Sequence, residues 1–270
     1  MIYKRIASVI SLLLSVCIFL YGCNTTAVIQ PSREDIVGAN SFMLAGPMKL
    51  KLDMKLMSDT GTILYYSSEV TAFKEDAIWN GIGKVYFGNM YFRQDCQTVC
   101  TASGSRKQWR GSWAASDTQS PVTPIAEWLG KAASEGVYFT TPVKPSECSD
   151  YLEEHQDPAY RITWTEKDPP WGALCDVHPD TLFGGDDMIA SFKEVKVTLF
   201  FGTDDLLLDV ILLTAEEKDG HWLNFSIIPG TATEVPDTQW DGEVEQNIVH
   251  GEEWELIYSY TTGEETDPTE

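Results

Sequence analysis

Positively charged residues are scarce in this chain of 270 residues, which has 19 Lys and Arg against 41 Asp and Glu and a formal net charge of -22. A protein that binds DNA or RNA needs a dense Lys/Arg surface facing the phosphates, so the composition argues against a nucleic-acid partner. Hydrophobic residues make up 43% of the chain, a proportion typical of a globular protein and not of a disordered one.

Signatures of catalysis and of cofactor binding are also missing from the sequence. There is no G-x-S-x-G or S-x-x-K motif, no Gly-rich phosphate loop and no dinucleotide-binding fingerprint. The four His residues form no H-E-x-x-H motif. We therefore expect a protein that is not an enzyme and that uses neither a cofactor nor a metal ion.

Long apolar runs are rare, and the longest lies at the N-terminus, from Ile6 to Leu20, directly after Lys4 and Arg5. A stable transmembrane helix needs ~20 apolar residues, and this run is shorter. A basic start followed by a short apolar core is typical of an export signal. The sequence therefore predicts a signal peptide over residues 1–22.

The run ends in Leu20-Tyr21-Gly22-Cys23. This ending resembles the lipobox of bacterial lipoproteins, which implies cleavage before Cys23 and a diacylglycerol on its thiol. Two or more acyl chains, such as palmitate, give stable membrane anchoring where one does not. The resemblance thus implies a lipid-anchored protein on the extracytoplasmic face of the cell membrane. The alternatives are an ordinary signal peptide and an uncleaved anchor helix.

Composition divides the rest of the chain into three parts. Residues 23–40, the lipidated Cys23 and a polar stretch with little pattern, are expected to form a flexible tether. Residues 41–262 are expected to form a single globular domain. Residues 263–270 are expected to be an acidic tail.

The body of the chain opens with a strict alternation of apolar and polar residues. Period two predicts a half-buried strand whose apolar residues share one face. Those residues are Met48, Leu50, Leu52, Met54 and Leu56.

Further strands and turns follow the same logic. Ser58 to Gly61 predicts a turn, and Gly88-Asn89 between two aromatic runs predicts a two-residue hairpin. From Thr123 onward, five apolar residues at helical spacing predict a helix with one buried face. They are Ile125, Trp128, Leu129, Ala132 and Ala133. The fold class predicted is α+β, mostly β, with a curved antiparallel sheet, an open half-barrel, and one or two packed helices.

This order of elements resembles the LolA/LolB-like lipoprotein-carrier superfamily. The similarity spans Met48–Pro229: long alternating strands, a helix, then a closing meander that ends in Ser226-Ile227-Ile228-Pro229. The resemblance implies an open half-barrel whose apolar concave face can hold acyl chains. This chain departs from the pattern in its body cysteines, in a large insertion near residues 94–185 and in an acidic C-terminal extension.

Two functional hypotheses follow. In the first, the protein is a membrane-anchored, non-enzymatic binding protein that holds a lipid or other amphiphile on the face formed by Met48 and the four apolar residues aligned with it. In the second, it is a surface module that binds a glycan or a protein through exposed Trp109, Trp113 and Trp171, which lie in polar, Gly/Pro-rich context. The sequence leaves the oligomeric state open.

Four cysteines remain after Cys23, and an exported protein is exposed to oxidising conditions. We expect two disulfides, Cys96–Cys100 and Cys148–Cys175. The alternatives are unpaired buried thiols and a metal site in which His178 joins the cysteines, although the C-x3-C spacing departs from the usual C-x2-C.

Overall fold

The strands of this protein alternate between a buried and an exposed face over long stretches, which is the pattern of a sheet with one side packed on a core. The computed structural model describes residues 31–109, 111–135, 138–140, 159–177, 189, 191–216, 220–238 and 254–258. Twelve strands are found in these residues: β1 (Met48–Ser58), β2 (Gly61–Phe73), β3 (Asp76–Phe87), β4 (Met90–Thr101), β5 (Gly104–Trp109), β6 (Ser112–Ser116), β7 (Tyr138–Thr140), β8 (Ala159–Lys167), β9 (Glu194–Gly202), β10 (Leu208–Glu216), β11 (Trp222–Thr231) and β12 (Glu255–Tyr258).

All twelve described strands belong to one antiparallel sheet, in the order β6-β5-β4-β3-β2-β1-β11-β10-β9-β8-β7, and β12 pairs with β4. No pairing joins the edge strands β6 and β7 within the described ranges, so the sheet is open there. The central pairing is β1 with β11, in which Leu52 lies opposite Ile227. This pairing brings the first strand of the body beside the last strand of the meander.

The described residues contain two α-helices, α1 (Arg33–Ala45) and α2 (Val122–Glu135), and both contribute side chains to the hydrophobic core. The five residues predicted for the apolar face of α2 are all buried. Inner-face residues from both halves of the sheet share one hydrophobic cluster with both helices, as in a half-barrel wrapped around them. The predicted fold class is confirmed.

The helix α1 corrects the expected tether. Residues 33–40, predicted to be flexible, form most of this helix, which Ser32 caps by accepting a hydrogen bond from the Asp35 amide. The Asp35 carboxylate accepts a hydrogen bond from the Ser32 backbone amide in return. Both amide groups at the start of the helix therefore have an acceptor. The signal peptide, Cys23 and the acidic tail at residues 263–270 lie outside the described residues. The described residues from Ser32 onward form one compact unit.

The hairpin predictions agree with the structure. Ser58 to Gly61 connects β1 to β2, and Gly88-Asn89 connects β3 to β4. Gly88 has φ = +61°, a left-handed conformation that a residue without Cβ adopts at no steric cost.

Candidate binding site on the inner face of the sheet

The apolar stripe of β1 lies at the centre of the core. Its members are Met48, Leu50, Leu52, Met54 and Leu56, and each is at most 3% exposed. The stripe is buried because period-two alternation puts all five side chains on the inner face, which forms the hydrophobic core. The stripe proposed to bind a ligand is therefore buried in the protein's own core, in one cluster with side chains of both helices.

The helix α1 contributes few buried residues to the core. Ile36 and Met43 join the core cluster, and Asn40 is 1% exposed. The Asn40 side chain links α1 to the turn between β9 and β10, since its amide donates to the Leu206 carbonyl at 2.9 Å and its oxygen accepts the Leu208 amide at 2.9 Å. A single side chain thus forms a specific polar attachment of this helix to the sheet.

The inner face changes from apolar to polar across neighbouring strands. The register places Leu52 on β1 opposite Ser68 on β2, Ser68 opposite Gly81 on β3, and Gly81 opposite Cys96 on β4. All four positions are buried. Along this row the inner face is therefore amphipathic, with hydrocarbon at β1 and polar side chains at β2 and β4.

The carboxylate of Asp176 is the centre of the polar half. Asp176 is fully buried. Its Oδ1 accepts a hydrogen bond from the Tyr66 hydroxyl at 2.7 Å, and its Oδ2 accepts one from Thr98 Oγ1 at 3.0 Å and one from Cys96 Sγ at 3.5 Å. A buried carboxylate without hydrogen bonds would be costly, and here three donors from β2 and β4 stabilise it.

Two glycines of β3 make room for the segment that carries Asp176. A Cβ on Gly81 would lie 2.6 Å from Asp176 Oδ1, and a Cβ on Gly83 would lie 2.6 Å from Val177 Cγ1. Residues 174–177 therefore pass directly over the backbone of β3. The two glycines therefore mark a close approach of another segment to the strand.

A buried cation lies on the strand next to β4, which carries two of the three donors to Asp176. Lys107 on β5 is 7% exposed, and its Nζ donates to Gln94 Oε1 at 3.1 Å. Gln94 is fully buried on β4, and Lys107 is paired in the sheet with Thr98. The polar half of the inner face thus combines a carboxylate, an ammonium group, an amide, three hydroxyls and a thiol.

Burial and the Asp176 charge keep the acidic donors of this cluster protonated. Burial raises the pKa of Tyr66 well above its usual range, and the negative charge of Asp176 raises it further. Burial likewise raises the pKa of Cys96, with Asp176 adding to the effect and Lys107 opposing it. At neutral pH both groups are hydrogen-bond donors, and the Cys96 thiol is a poor nucleophile because it is not ionised.

The tryptophans predicted to form an exposed surface do not form one in the described residues. Trp113 is 9% exposed, and Trp171 packs against the hydrophobic cluster with a buried indole Nε1. The side chain of Trp109 lies outside the described residues. The expectation that these residues face solvent is wrong for Trp113, which is buried, and Trp171 is partly buried against the core, so a glycan or protein surface built on them loses support.

The expected Cys96–Cys100 disulfide is also wrong. Both residues lie on β4, on the same face and four residues apart, so their Cα atoms are about 13 Å apart at the rise of an extended strand. A disulfide requires less than ~7 Å. No disulfide joins Cys96, Cys100 and Cys175 to one another, and Cys175 Sγ donates to the Val177 carbonyl at 3.1 Å. Cys148 lies outside the described residues, so Cys148–Cys175 stays a prediction.

A separate cavity of about 630 Å³, with a mixed polar and apolar lining, lies beside the first turn of α2. Its lining includes Cys100, Ser105, Thr118 and Glu127. Its hydroxyl groups bond to neighbouring backbone, as when Ser105 Oγ donates to the Ser116 carbonyl. In the part of the chain that the structure describes, no group of three His, Cys, Asp or Glu side chains is placed to hold a metal ion. Neither α1 nor α2, the helices of that part, has the length and apolar character to span a bilayer.

Sequence reasoning found the apolar stripe and missed the polar half. Asp176 follows a Pro/Gly-rich break, and nothing local ties it to Tyr66, 110 residues away. The signal that existed was the pair Gly81 and Gly83 at alternate positions of a strand, both on the inner face. Because neither glycine has a side chain, the space above both positions must be filled by another segment of the chain.

Comparisons with known proteins give no family. No family model matches the chain, and no curated protein matches it significantly. Among solved structures, LprF from Mycobacterium bovis is 11% identical, with 77% of this chain and 99% of that chain covered and a TM-score of 0.38. A LolA superfamily protein from Nitrosomonas europaea is 9% identical, with 77% and 96% covered and a TM-score of 0.25. A DUF1329 family protein from Desulfovibrio piger is 8% identical, with 76% and 93% covered and a TM-score of 0.24. At these identities and TM-scores, the likeness carries no argument about fold or function.

Proposed function

We propose that this protein is a lipid-anchored, extracytoplasmic and non-enzymatic lipoprotein that binds a lipid or other amphiphile on the inner face of its sheet. The observation that carries the proposal is the change from Leu52 through Ser68 to Cys96 across one row of that face. An amphiphile has the same division, with hydrocarbon at one end and a polar group at the other. The N-terminal motif at Cys23 supports the anchor.

The ligand enters, in this proposal, when α1 moves away from the stripe. The stripe from Met48 to Leu56 spans eight residue steps, or about 26 Å, so that it can accommodate an extended acyl chain. We call the observed arrangement the closed state. In it, the α1 side chains Ile36 and Met43 belong to the same hydrophobic cluster as the stripe. An acyl chain would replace apolar contacts of the helix with apolar contacts of its own, so the exchange loses little hydrophobic free energy.

Non-enzymatic binding agrees with the chemistry of the inner face. The Cys96 thiol and the Tyr66 hydroxyl are protonated at neutral pH and already donate to Asp176. Burial also raises the pKa of Cys100, to about 12. Such groups recognise a polar ligand by hydrogen bonding and are poorly suited to nucleophilic attack.

The attachment of α1 at Asn40 provides the test. Asn40→Ala removes the hydrogen bonds of this side chain to Leu206 and Leu208. We expect their loss to reduce the stability of α1 in its observed, closed position by about 1–3 kcal/mol. If α1 must move for binding, the open state becomes roughly fivefold to a hundredfold more populated, and the apparent Kd falls by the same factor. Titration of a fluorescent fatty-acid analogue measures this Kd. Ser41→Ala, at the exposed neighbouring position, is the matched control.

The possible outcomes separate clearly. Tighter probe binding by Asn40→Ala than by Ser41→Ala supports a site beneath α1. Equal affinity of the two variants, with Asn40→Ala less stable to urea, shows that α1 does not cover the site. Absence of saturable binding by the wild type and by both variants overturns the proposed function.

A further inference from the structure

The three groups that donate to Asp176 all belong to the sheet, and the carboxylate belongs to a segment laid over it. Tyr66 comes from β2, and Cys96 and Thr98 come from β4. Between these strands, Gly81 of β3 supplies a floor without a side chain. The donors and the floor all belong to the sheet, and together they form the surface, or pocket, on which Asp176 lies.

The chemistry of this pocket fits a carboxylate. A carboxylate accepts hydrogen bonds at two oxygens, and the donors are distributed accordingly, with Tyr66 on Oδ1 and Thr98 and Cys96 on Oδ2. The ammonium group of Lys107, buried on the neighbouring strand, provides a favourable charge. Hydrogen bonds to an ionised acceptor are stronger than those between neutral groups.

The pocket also lies at a useful distance from the apolar stripe. Gly81 and Leu52 occupy the same row, two strands apart, so their backbones are separated by about 9.5 Å. Ser68 lies between them and is 2% exposed, with its Oγ donating to the Asn80 carbonyl. A headgroup above Gly81 would therefore leave an acyl chain free to reach Leu52 across β2.

From this geometry we propose that Asp176 fills, from within the chain, a pocket that recognises the carboxylate headgroup of an amphiphilic acid, with Tyr66, Thr98 and Cys96 as the recognising donors. The inference deepens the proposed function and rests on it. In the closed state Asp176 holds the pocket and α1 covers the stripe. In the loaded state the ligand carboxylate takes the place of the Asp176 carboxylate, and the acyl chain takes the place of α1.

Rescue by a small acid tests the pocket without an amphiphile. Asp176→Ala removes the internal carboxylate and leaves the three donors. Sodium formate is then expected to raise the Tm of this variant by several degrees more than sodium chloride at equal ionic strength. The exposed turn residue Asp59 gives the matched control, because Asp59→Ala should respond equally to the two salts. Adding Tyr66→Phe to Asp176→Ala should abolish the formate effect. Equal effects of the two salts on Asp176→Ala overturn the proposal.

Headgroup selectivity tests the ligand class. Oleic acid, its glycerol monoester and the phosphate monoester of the same chain length are titrated against Asp176→Ala. We expect oleate to bind at least tenfold more tightly than the uncharged ester, and Tyr66→Phe to reduce that ratio severalfold. Equal binding of oleate and the ester overturns the carboxylate pocket while leaving the proposed function intact. Preference for the phosphate overturns the assignment to carboxylates, and binding of none of the three overturns the proposed function itself.

A second variant, Asp176→Asn, tests the pocket in case Asp176→Ala does not fold. Asp176→Asn keeps the shape of the side chain but places an amide N–H₂ group against donors that need an acceptor. Oleate is expected to compete with this side chain more easily than with Asp176, giving a lower Kd than the wild type. An unchanged or higher Kd for Asp176→Asn, in a variant with native circular dichroism, counts against the proposal.

Discussion

The hydroxyl of Tyr66 donates a 2.7 Å hydrogen bond to the carboxylate of Asp176, and 110 residues separate the two in the sequence. The bond joins strand β2 to the irregular segment that follows the 3₁₀ turn at Trp171–Ala173. It lies in the interior, where Asp176 is fully buried. The contact therefore fixes the position of the segment over the sheet.

Removing this hydroxyl should destabilise the protein more than removing the hydroxyl of the neighbouring, half-buried Tyr65. Tyr66→Phe leaves a buried carboxylate with one donor fewer, at an expected cost of about 1.5–3 kcal/mol in the free energy of unfolding. Tyr65→Phe is the control, because Tyr65 lies on the opposite face, where it donates to Asp53 at 3.3 Å. Urea unfolding followed by tryptophan fluorescence measures both. Equal losses in the two variants would show that the buried bond has no special role.

The close approach of Asp176 to β3 predicts a strong effect of a single methyl group. Gly81→Ala places a Cβ 2.6 Å from Asp176 Oδ1, which should destabilise the fold by about 1–3 kcal/mol. In the Asp176→Ala background the same substitution should cost much less, since the clashing group is gone. Gly38→Ala on helix α1 meets nothing within 4 Å and should stabilise slightly. Thermal unfolding of the single variants and of the double variant measures the coupling free energy between Gly81→Ala and Asp176→Ala. Additive effects would contradict a direct contact between Gly81 and Asp176.

Alternation was sufficient to predict the apolar half of the site. The stripe from Met48 to Leu56 was predicted and is buried, because register and burial in a sheet follow directly from a period of two. The polar half depends on contacts between distant segments. Asp176 lies in a region without periodicity, and its partners are set by which strand the segment crosses, which local pattern does not encode.

The helix α1 was missed for a different reason. Its buried residues Ile36 and Met43 form a narrow stripe, while Val37 and Phe42 are exposed at 43% and 76%. Such a helix has little amphipathic signal, and it lies in a segment with the composition of a linker. The capping pair Ser32 and Asp35 was the available clue, since a hydroxyl three residues before an acid is a start signal for a helix.

Stability should fall in mildly alkaline solution because of a buried thiol. Burial raises the pKa of Cys100 from 9.0 to about 12. Below pH 9 the thiol is protonated in both the folded and the unfolded chain, so its contribution is fully present. Between pH 9 and pH 12 the unfolded chain loses this proton while the folded chain keeps it, and stability decreases; at pH 10 the loss is about 1.4 kcal/mol.

Cys100→Ser isolates this contribution, since a hydroxyl does not titrate in this range and can still donate to the Thr118 carbonyl that accepts from Cys100 Sγ. The free energy of unfolding in urea is measured for both proteins from pH 7 to pH 10.5. We expect parallel curves below pH 8 and a steeper fall for the wild type above pH 9. Curves that stay parallel up to pH 10.5 would mean that Cys100 ionises normally in the folded protein.

Lipid attachment is the prediction on which the cellular location depends. If the ending at Cys23 acts as a lipobox, expression in a bacterium that lipidates exported proteins should yield a chain that starts at Cys23 and carries the added mass of its acyl groups. Cys23→Ser should abolish that mass and move the protein from the membrane fraction to the soluble extracytoplasmic fraction or leave it unprocessed. Cys17→Ser is the matched control, because Cys17 lies within the segment expected to be removed and its loss should change neither mass nor location. Intact-mass spectrometry of each fraction checks the prediction, and an unacylated wild-type chain would show that the export signal carries no lipid anchor.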